Sequence, residues 1–420
     1  MREHGARVSG TQDGGSAAEW AAAADLAGQG LRGVVRIAAD THAAVSRRVA
    51  DRLPTAAEPV MAAERAISSA VYSVVAAAHR WSPRAAAAVA AAVAPSGSPS
   101  ASAAGTTLLP AVNAFWGDQV AARFPSLGIP MAVRAHGRDL PLEPGPVADA
   151  FASPSGHLGV FVHGLVGDER WWHLRADGSD GSYGDRLLRD HGLTPVLVRY
   201  NSGRHVSDNG RDLSDLLERL VASWPVPVAS VSLVGHSMGG LVARSACHQG
   251  DAAGAEWTRL TRTVVTLGTP HLGAPLEKAV HVADRALRLL PETEPFSRPL
   301  AGRSAGIKDL RYGALLEQDW AGYDPDEFLR DRCTHVPPLE HVTYYWIAAT
   351  LTHDPEHPIG RLVGDGLVLP ASASGSGGTR PVGLHPDRGA HLRAVSHLDL
   401  VNHPEVYERL STWLDPGRRV

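Results

Sequence analysis

The hydrophobic pattern divides the chain into two textures. Leu31, Val34, Ala38, Val45 and Val49 recur at three-, four- and seven-residue steps, and Val60, Ala63, Ile67, Val71, Val74 and Ala78 do the same. Such spacing lays one apolar stripe along a helix. Two amphipathic helices are therefore expected, packing on each other or on a neighbouring domain. "APSGSPSASAAGTT", Ala94–Thr107, breaks the pattern with proline, glycine and serine and reads as a flexible linker.

Beyond it the apolar residues come in short β-branched runs. "MAVRAHGRDLPLE" predicts a strand pair turning at His136-Gly137. "HLGVFVHGLVGD", "TPVLVRYNSG", "VASVSLVGHS", "TRTVVTLGTPH", "HVTYYWIAATLT" and "HLRAVSHLDL" follow, and helical patterns such as "DNGRDLSDLLERLVASW" separate them. Strands alternating with helices predict an α/β fold, a doubly wound and mostly parallel sheet whose active site sits at the carboxyl ends of the strands.

Composition narrows the partners more than the chemistry. A chain of 420 residues has room for one large domain and an accessory segment. The formal net charge of −4 gives no electrostatic reason to expect nucleic acid or an anionic membrane. Cys247 and Cys333 do not make a disulfide framework. No apolar run approaches the ~18 residues of a membrane span. The first residues lack a signal-peptide core, and "RAAAAVAAAVAPSG", which resembles one, starts far inside the chain at Arg84. A cytoplasmic protein without a transmembrane segment is expected.

The chemistry concentrates in "VSLVGHSMGGLVARSACHQG", Val231 to Gly250. Gly235-His236-Ser237-Met238-Gly239 is G-x-S-x-G between a strand and a helix. A side chain at either glycine would collide in the tight turn that exposes the serine hydroxyl. The N–H of Met238, at the helix start, is a candidate oxyanion donor, helped by the helix dipole.

These residues resemble the α/β-hydrolase superfamily, and within it the bacterial lipase- and esterase-like branch with "GHSMGG" or "GHSQGG" elbows. The resemblance covers Pro110 to Leu414. It implies a fold of α/β-hydrolase type with a catalytic domain over 107–420 and a cap insertion near 276–338, while the helical N-terminal extension and linker over 1–106 lie outside it. It places a second oxyanion donor at Leu165, after the His163-Gly164 pair. His163 then serves the turn structurally, and His236 packs beside the elbow. Superfamily chain order puts the acid and then the histidine after the serine. Asp365, in "DGLV", matches the acid, ahead of Asp354, Asp324 and Asp326. His397, in "SHLD", matches the base, because His403 precedes a proline and reads as the start of the terminal helix. Asp399 matches an aspartate that binds calcium in some related lipases, but spacing offers no second acidic ligand. "HDPEH", His353 to His357, suits a loop better than a metal pair.

With Ser237 as nucleophile, His397 as base, Asp365 as its orienting acid, and the Leu165 and Met238 N–H groups as oxyanion donors, the implied chemistry is ester hydrolysis through an acyl-enzyme. It takes a small-molecule or lipid ester and needs no cofactor or metal. An acyltransferase on the same triad, and a catalytically silent binding scaffold, are the alternatives. The stretch after "VTLGTPHLGAP" is long for a plain connection. "LEKAVHVADRALRLL" puts Leu276, Val280, Ala283, Leu287 and Leu290 on one helical face, as a lid or as a helix packed on the sheet.

Overall fold

The structure is a computed structural model. It describes residues 103–123, 125–176, 180–274, 277–278, 302–323, 331–354, 363–376 and 380–417, with positions 22, 36, 40, 43 and 47. The two N-terminal stripes and the helical face from Leu276 to Leu290 lie outside the described residues. Two compact units are formed: 1–109 with 119–128 and 280–303, and 110–118 with 129–279 and 304–420. In the first, Gln119 Nε2 donates to Gly302 O at 3.0 Å. Everything below concerns the second, apart from helix α1, whose residues are divided between the two.

Helix α1 (Ala103–Arg123) is kinked at Trp116, where the backbone leaves helical geometry (φ −140°, ψ 20°). It begins at Ala103 and so overlaps the stretch read as a linker. The run from Ala103 to Thr107 holds two alanines and one glycine but no proline, so nothing in it blocks a helix.

The strands fall where the β-branched runs predict them. They are β1 (Ala132–Ala135), β2 (Arg138–Asp139), β3 (His157–Val162), β4 (Thr194–Arg199), β5 (Ser230–His236), β6 (Thr261–Leu267), β7 (Thr343–Thr350) and β8 (Gly389–Arg393). They make one sheet in the order β2-β1-β4-β3-β5-β6-β7-β8. Pairings from β4 to β8 are parallel, while β1 runs antiparallel to both β2 and β4. The β1–β2 hairpin turns through His136 (φ 49°) and Gly137 (φ 74°), the two positive dihedrals a tight hairpin turn requires.

Helices cover both faces of the sheet. Strand residues alternate between them: Val160, Val162, Leu233 and Val264 join one buried cluster, and Phe161, Val234 and Val265 the other. On the first face pack α4 (Val206–Ser223), α5 (Met238–Ala252) and α6 (Glu256–Leu260), through Leu213, Leu217, Leu241 and Trp257. On the second pack α3 (Tyr183–His191) and α9 (Pro404–Trp413), through Leu187, Val406 and Leu410. The short helices α2 (Pro144–Ala150), α7 (Ala305–Asp309) and α8 (Pro370–Ala373) complete the set used here. Helix α3 starts at a capping box between Ser182 and Asp185 and stops at Gly192, φ 64°.

The topology also locates a crevice. From β3 the chain moves outward to β4, then returns to β5 on the other side of β3 and continues to β6. Strand order therefore reverses between β3 and β5, and ligands bind such sheets at the carboxyl ends of the two strands where it reverses. Those ends carry His163-Gly164-Leu165 and Ser237.

Candidate active site

Ser237 joins β5 to α5 with φ 54° and ψ −124°, a conformation that non-glycine residues rarely adopt. Its side chain makes no capping hydrogen bond to α5, so the hydroxyl is not diverted to the helix it begins. The Ser237 N–H donates to Leu267 O at 2.8 Å, anchoring the elbow to β6. The two glycines are needed by close approach: a Cβ on Gly235 would lie 2.5 Å from Gly240 N, and one on Gly239 would lie 2.2 Å from Val162 O. The collisions expected from the sequence are therefore with α5 itself and with the end of β3.

The turn after β3 presses directly on this elbow. A Cβ on Gly164 would lie 3.0 Å from Ser237 Cβ, so only glycine lets the turn come so near. His163 is fully buried, its ring stacked on Tyr200 with centroids 4.3 Å apart. The Tyr200 N–H donates to Nε2 at 3.3 Å, so the proton resides on Nδ1, which donates to Gly164 O at 2.8 Å. Burial pushes the imidazole down to about 4, which keeps it neutral. Gly167 N also donates to Gly164 O, at 3.2 Å. A trans peptide points its C=O and N–H in opposite directions. Pinning the Gly164 carbonyl into the loop thus turns the Leu165 N–H out of it. Val166, next in the chain, has φ 67°, unusual for a β-branched residue. Its N–H donates to Ser202 Oγ at 3.4 Å.

Asp365 and His397 meet on the loops after β7 and β8. His397 Nδ1 lies 2.7 Å from Asp365 Oδ2, and both residues are buried, with relative exposures of 4% and 2%. The other carboxylate oxygen accepts from Leu367 N (3.0 Å) and Val368 N (2.8 Å). Both carboxylate oxygens of Asp365 are therefore occupied in a fixed geometry. The backbone repeats the link, His397 N donating to Asp365 O at 2.9 Å. The imidazole lies over Gly268, whose Cβ, if present, would fall 3.1 Å from both Cε1 and Nδ1 of His397. Gly268 directly follows Leu267, the residue that anchors the Ser237 N–H.

The structure brings Ser237, His397, Asp365, Leu165 and Met238 to one end of the sheet. Asp354 lies on an exposed bend, where its carbonyl accepts from Thr352 Oγ1 at 2.8 Å. Asp324, Asp326 and His357 lie outside the described residues. His403 is the N-cap of α9, its side chain accepting from Glu405 N, with Pro404 in the first turn. Asp399 Oδ2 accepts from Ser396 N at 3.0 Å, and Oδ1 pairs with Arg175. Its charge is matched by a guanidinium. Among the described residues no group of three or more His, Cys, Asp and Glu could hold a metal ion. Cys247 and Cys333 are both free, and among the described residues no helix is long and apolar enough to cross a membrane.

Sequence reasoning missed Asn402. Its Oδ1 accepts from Tyr183 N at 2.8 Å, and its Nδ2 donates to Trp172 O (2.8 Å) and Leu174 O (2.7 Å). One side chain thereby joins the loop that carries His397, the start of α3 and the segment that follows the His163-Gly164-Leu165 turn. Its signal in the sequence is a lone Asn before His-Pro, which marks a turn but names no partner.

Sheet order, serine elbow and crossing helices define an α/β protein related to the α/β-hydrolase superfamily. A family model for the PGAP1-like alpha/beta domain matches residues 198–289, from the end of β4 past β6. No curated protein matches the chain. Among solved structures the chain is similar to the mature lipase BlEst2 of Bacillus licheniformis, at 20% identity over 69% of this chain and 100% of that one, with a TM-score of 0.41. It is also similar to a metagenomic carboxyl esterase, at 17% identity over 78% and 96%, TM-score 0.35. An esterase of Pyrococcus furiosus matches at 15% over 62% and 83%, TM-score 0.33.

Proposed function

We propose that the protein is a serine ester hydrolase that works through an acyl-enzyme on Ser237. The observation that carries this reading is the buried His397–Asp365 pair beside a serine whose hydroxyl the helix does not use. In this mechanism His397 Nε2 accepts the Ser237 proton as Oγ attacks the ester carbonyl. Asp365 keeps the proton of the neutral imidazole on Nδ1 and stabilises the imidazolium that forms. The Leu165 and Met238 N–H groups hold the negative oxygen of the tetrahedral intermediate. His397 then returns the proton to the leaving alcohol, and water repeats the sequence to release the acid. The family match and the resemblance to lipases and esterases favour a carboxylic ester as substrate.

A fluorophosphonate probe tests this proposal. It should add covalently at Ser237, located by peptide mass, and wild-type protein should hydrolyse p-nitrophenyl esters. Absence of both labelling and hydrolysis would leave the fold without this chemistry.

A further inference from the structure

The residue before the serine, read from the sequence as a packing group, is placed to do more. We propose that His236 is a positioning residue: its Nε2–H holds the carbonyl of His397 and so fixes the base relative to Ser237 and the oxyanion turn. This rests on the esterase reading above.

His236 Nε2 lies 3.0 Å from His397 O, and the bond is buried. A carbonyl only accepts, so the proton is on Nε2 and the lone pair on Nδ1. The N–H of His397 is already given to Asp365 O at 2.9 Å. With its carbonyl held by His236, the backbone of the base is fastened on both sides. Nδ1 of His236 is buried and, among the described residues, has no hydrogen-bond partner. It faces the oxyanion turn, where a Cβ on Gly164 would lie 3.1 Å away. One imidazole thus touches the base loop with one edge and the turn after β3 with the other.

A packing residue needs no donor, and a leucine or phenylalanine would fill the space. The groups facing His236 are the His397 ring, centroid 4.8 Å away, the Trp171 ring at 6.0 Å, and His163. Burial and the neighbouring imidazoles push His236 down to about 3. It therefore stays neutral when His397 takes up the serine proton, and places no second positive charge beside it. The expected gain is geometric. A misplacement of about 1 Å in a reacting group costs on the order of 10²-fold in rate.

The first test needs no variant. Histidine-selective ¹⁵N NMR of the intact wild-type protein should show His236 as the Nε2–H tautomer, with no titration between roughly pH 5 and 9. An Nδ1–H tautomer, or a titration in that range, overturns the proposal. The second test compares His236→Phe with His236→Gln, whose terminal amide can reach the same carbonyl. The phenylalanine variant should lose about 10–100-fold in kcat with KM nearly unchanged. It should also lose the far-downfield proton signal of the His397–Asp365 bond. The glutamine variant should recover both to within about threefold. If His236→Phe keeps kcat and the signal while only its Tm falls, the residue merely packs. If a folded glutamine variant is as slow as phenylalanine, the donor is irrelevant. Failure of the esterase reading is distinguishable, because wild-type protein would then not be labelled at Ser237.

Discussion

At Ser237 a backbone conformation worth about 1–3 kcal/mol of strain is held by the contacts of Gly235 and Gly239 and by the bond to Leu267 O. None of these uses the hydroxyl. Ser237→Ala should therefore fold and melt as wild type while turnover falls by about 10⁴–10⁶-fold. Adding His397→Ala should cost almost nothing more, since nucleophile and base act as a unit. Steady-state rates and a melting curve check both expectations. Asp365→Asn should cost about 10⁴-fold, because an amide in that place favours the wrong imidazole tautomer. Asp354→Asn should stay near wild type, since the bend that carries it is exposed. A larger loss from Asp354→Asn than from Asp365→Asn would remove Asp365 as the acid.

Among the elements, the loops matter more than the helices. The strands supply only the ends on which the turns are mounted. The turn after β3, the proposed oxyanion site, can approach the elbow because of Gly164, where an alanine Cβ would meet Ser237 Cβ at 3.0 Å. Gly164→Ala should push the turn away and lower kcat by about 10²–10³-fold, the effect of losing one oxyanion donor. Fluorophosphonate labelling should slow in parallel. Asn402 joins three loops with three hydrogen bonds at φ 60°, a left-handed conformation that asparagine tolerates. Asn402→Ala should destabilise the protein by about 2–3 kcal/mol. Asn402→Gly should recover only the part owed to backbone conformation. Denaturant midpoints separate the two contributions. Equal stability in all three proteins would show that the staple is idle.

For the molecule as a whole, the cost of a buried neutral histidine appears as acid sensitivity. Burial lowers His163 to about 4 and His236 to about 3, against an ordinary 6.5. Below pH 6.5 the unfolded chain takes up protons that the folded chain refuses, so unfolding becomes easier as pH falls. This stability is full above about pH 6.5 and is lost down to the folded values, on the order of 3 kcal/mol for His163 and about 5 kcal/mol for His236. Denaturation midpoints should therefore drop between pH 7 and pH 5, before most carboxylates titrate. His163→Asn, which keeps a donor for Gly164 O but does not titrate, should show a shallower drop. An unchanged slope in that variant would remove His163 as a source.

Local pattern was enough for the strands, the β1–β2 turn and the serine elbow. Short β-branched runs, the His-Gly dipeptide and G-x-S-x-G are decided by sterics within a few residues. The proposed chemistry rests on residue types, and chain order with family resemblance pointed to His397 and Asp365, which the structure places in hydrogen-bond contact. What the sequence left open was contact. Asp365 and His397 are 32 residues apart in the chain and 2.7 Å apart in space, on loops that only the pairing of β7 with β8 brings together. His236 looked like a packing residue because its partner is a backbone carbonyl, and a carbonyl is the same at every position in a sequence. Asn402 escaped for the same reason: all three of its partners are main-chain atoms of distant loops. Side-chain identity is written in the chain, but a backbone partner is chosen only when the sheet closes and sets its loops side by side.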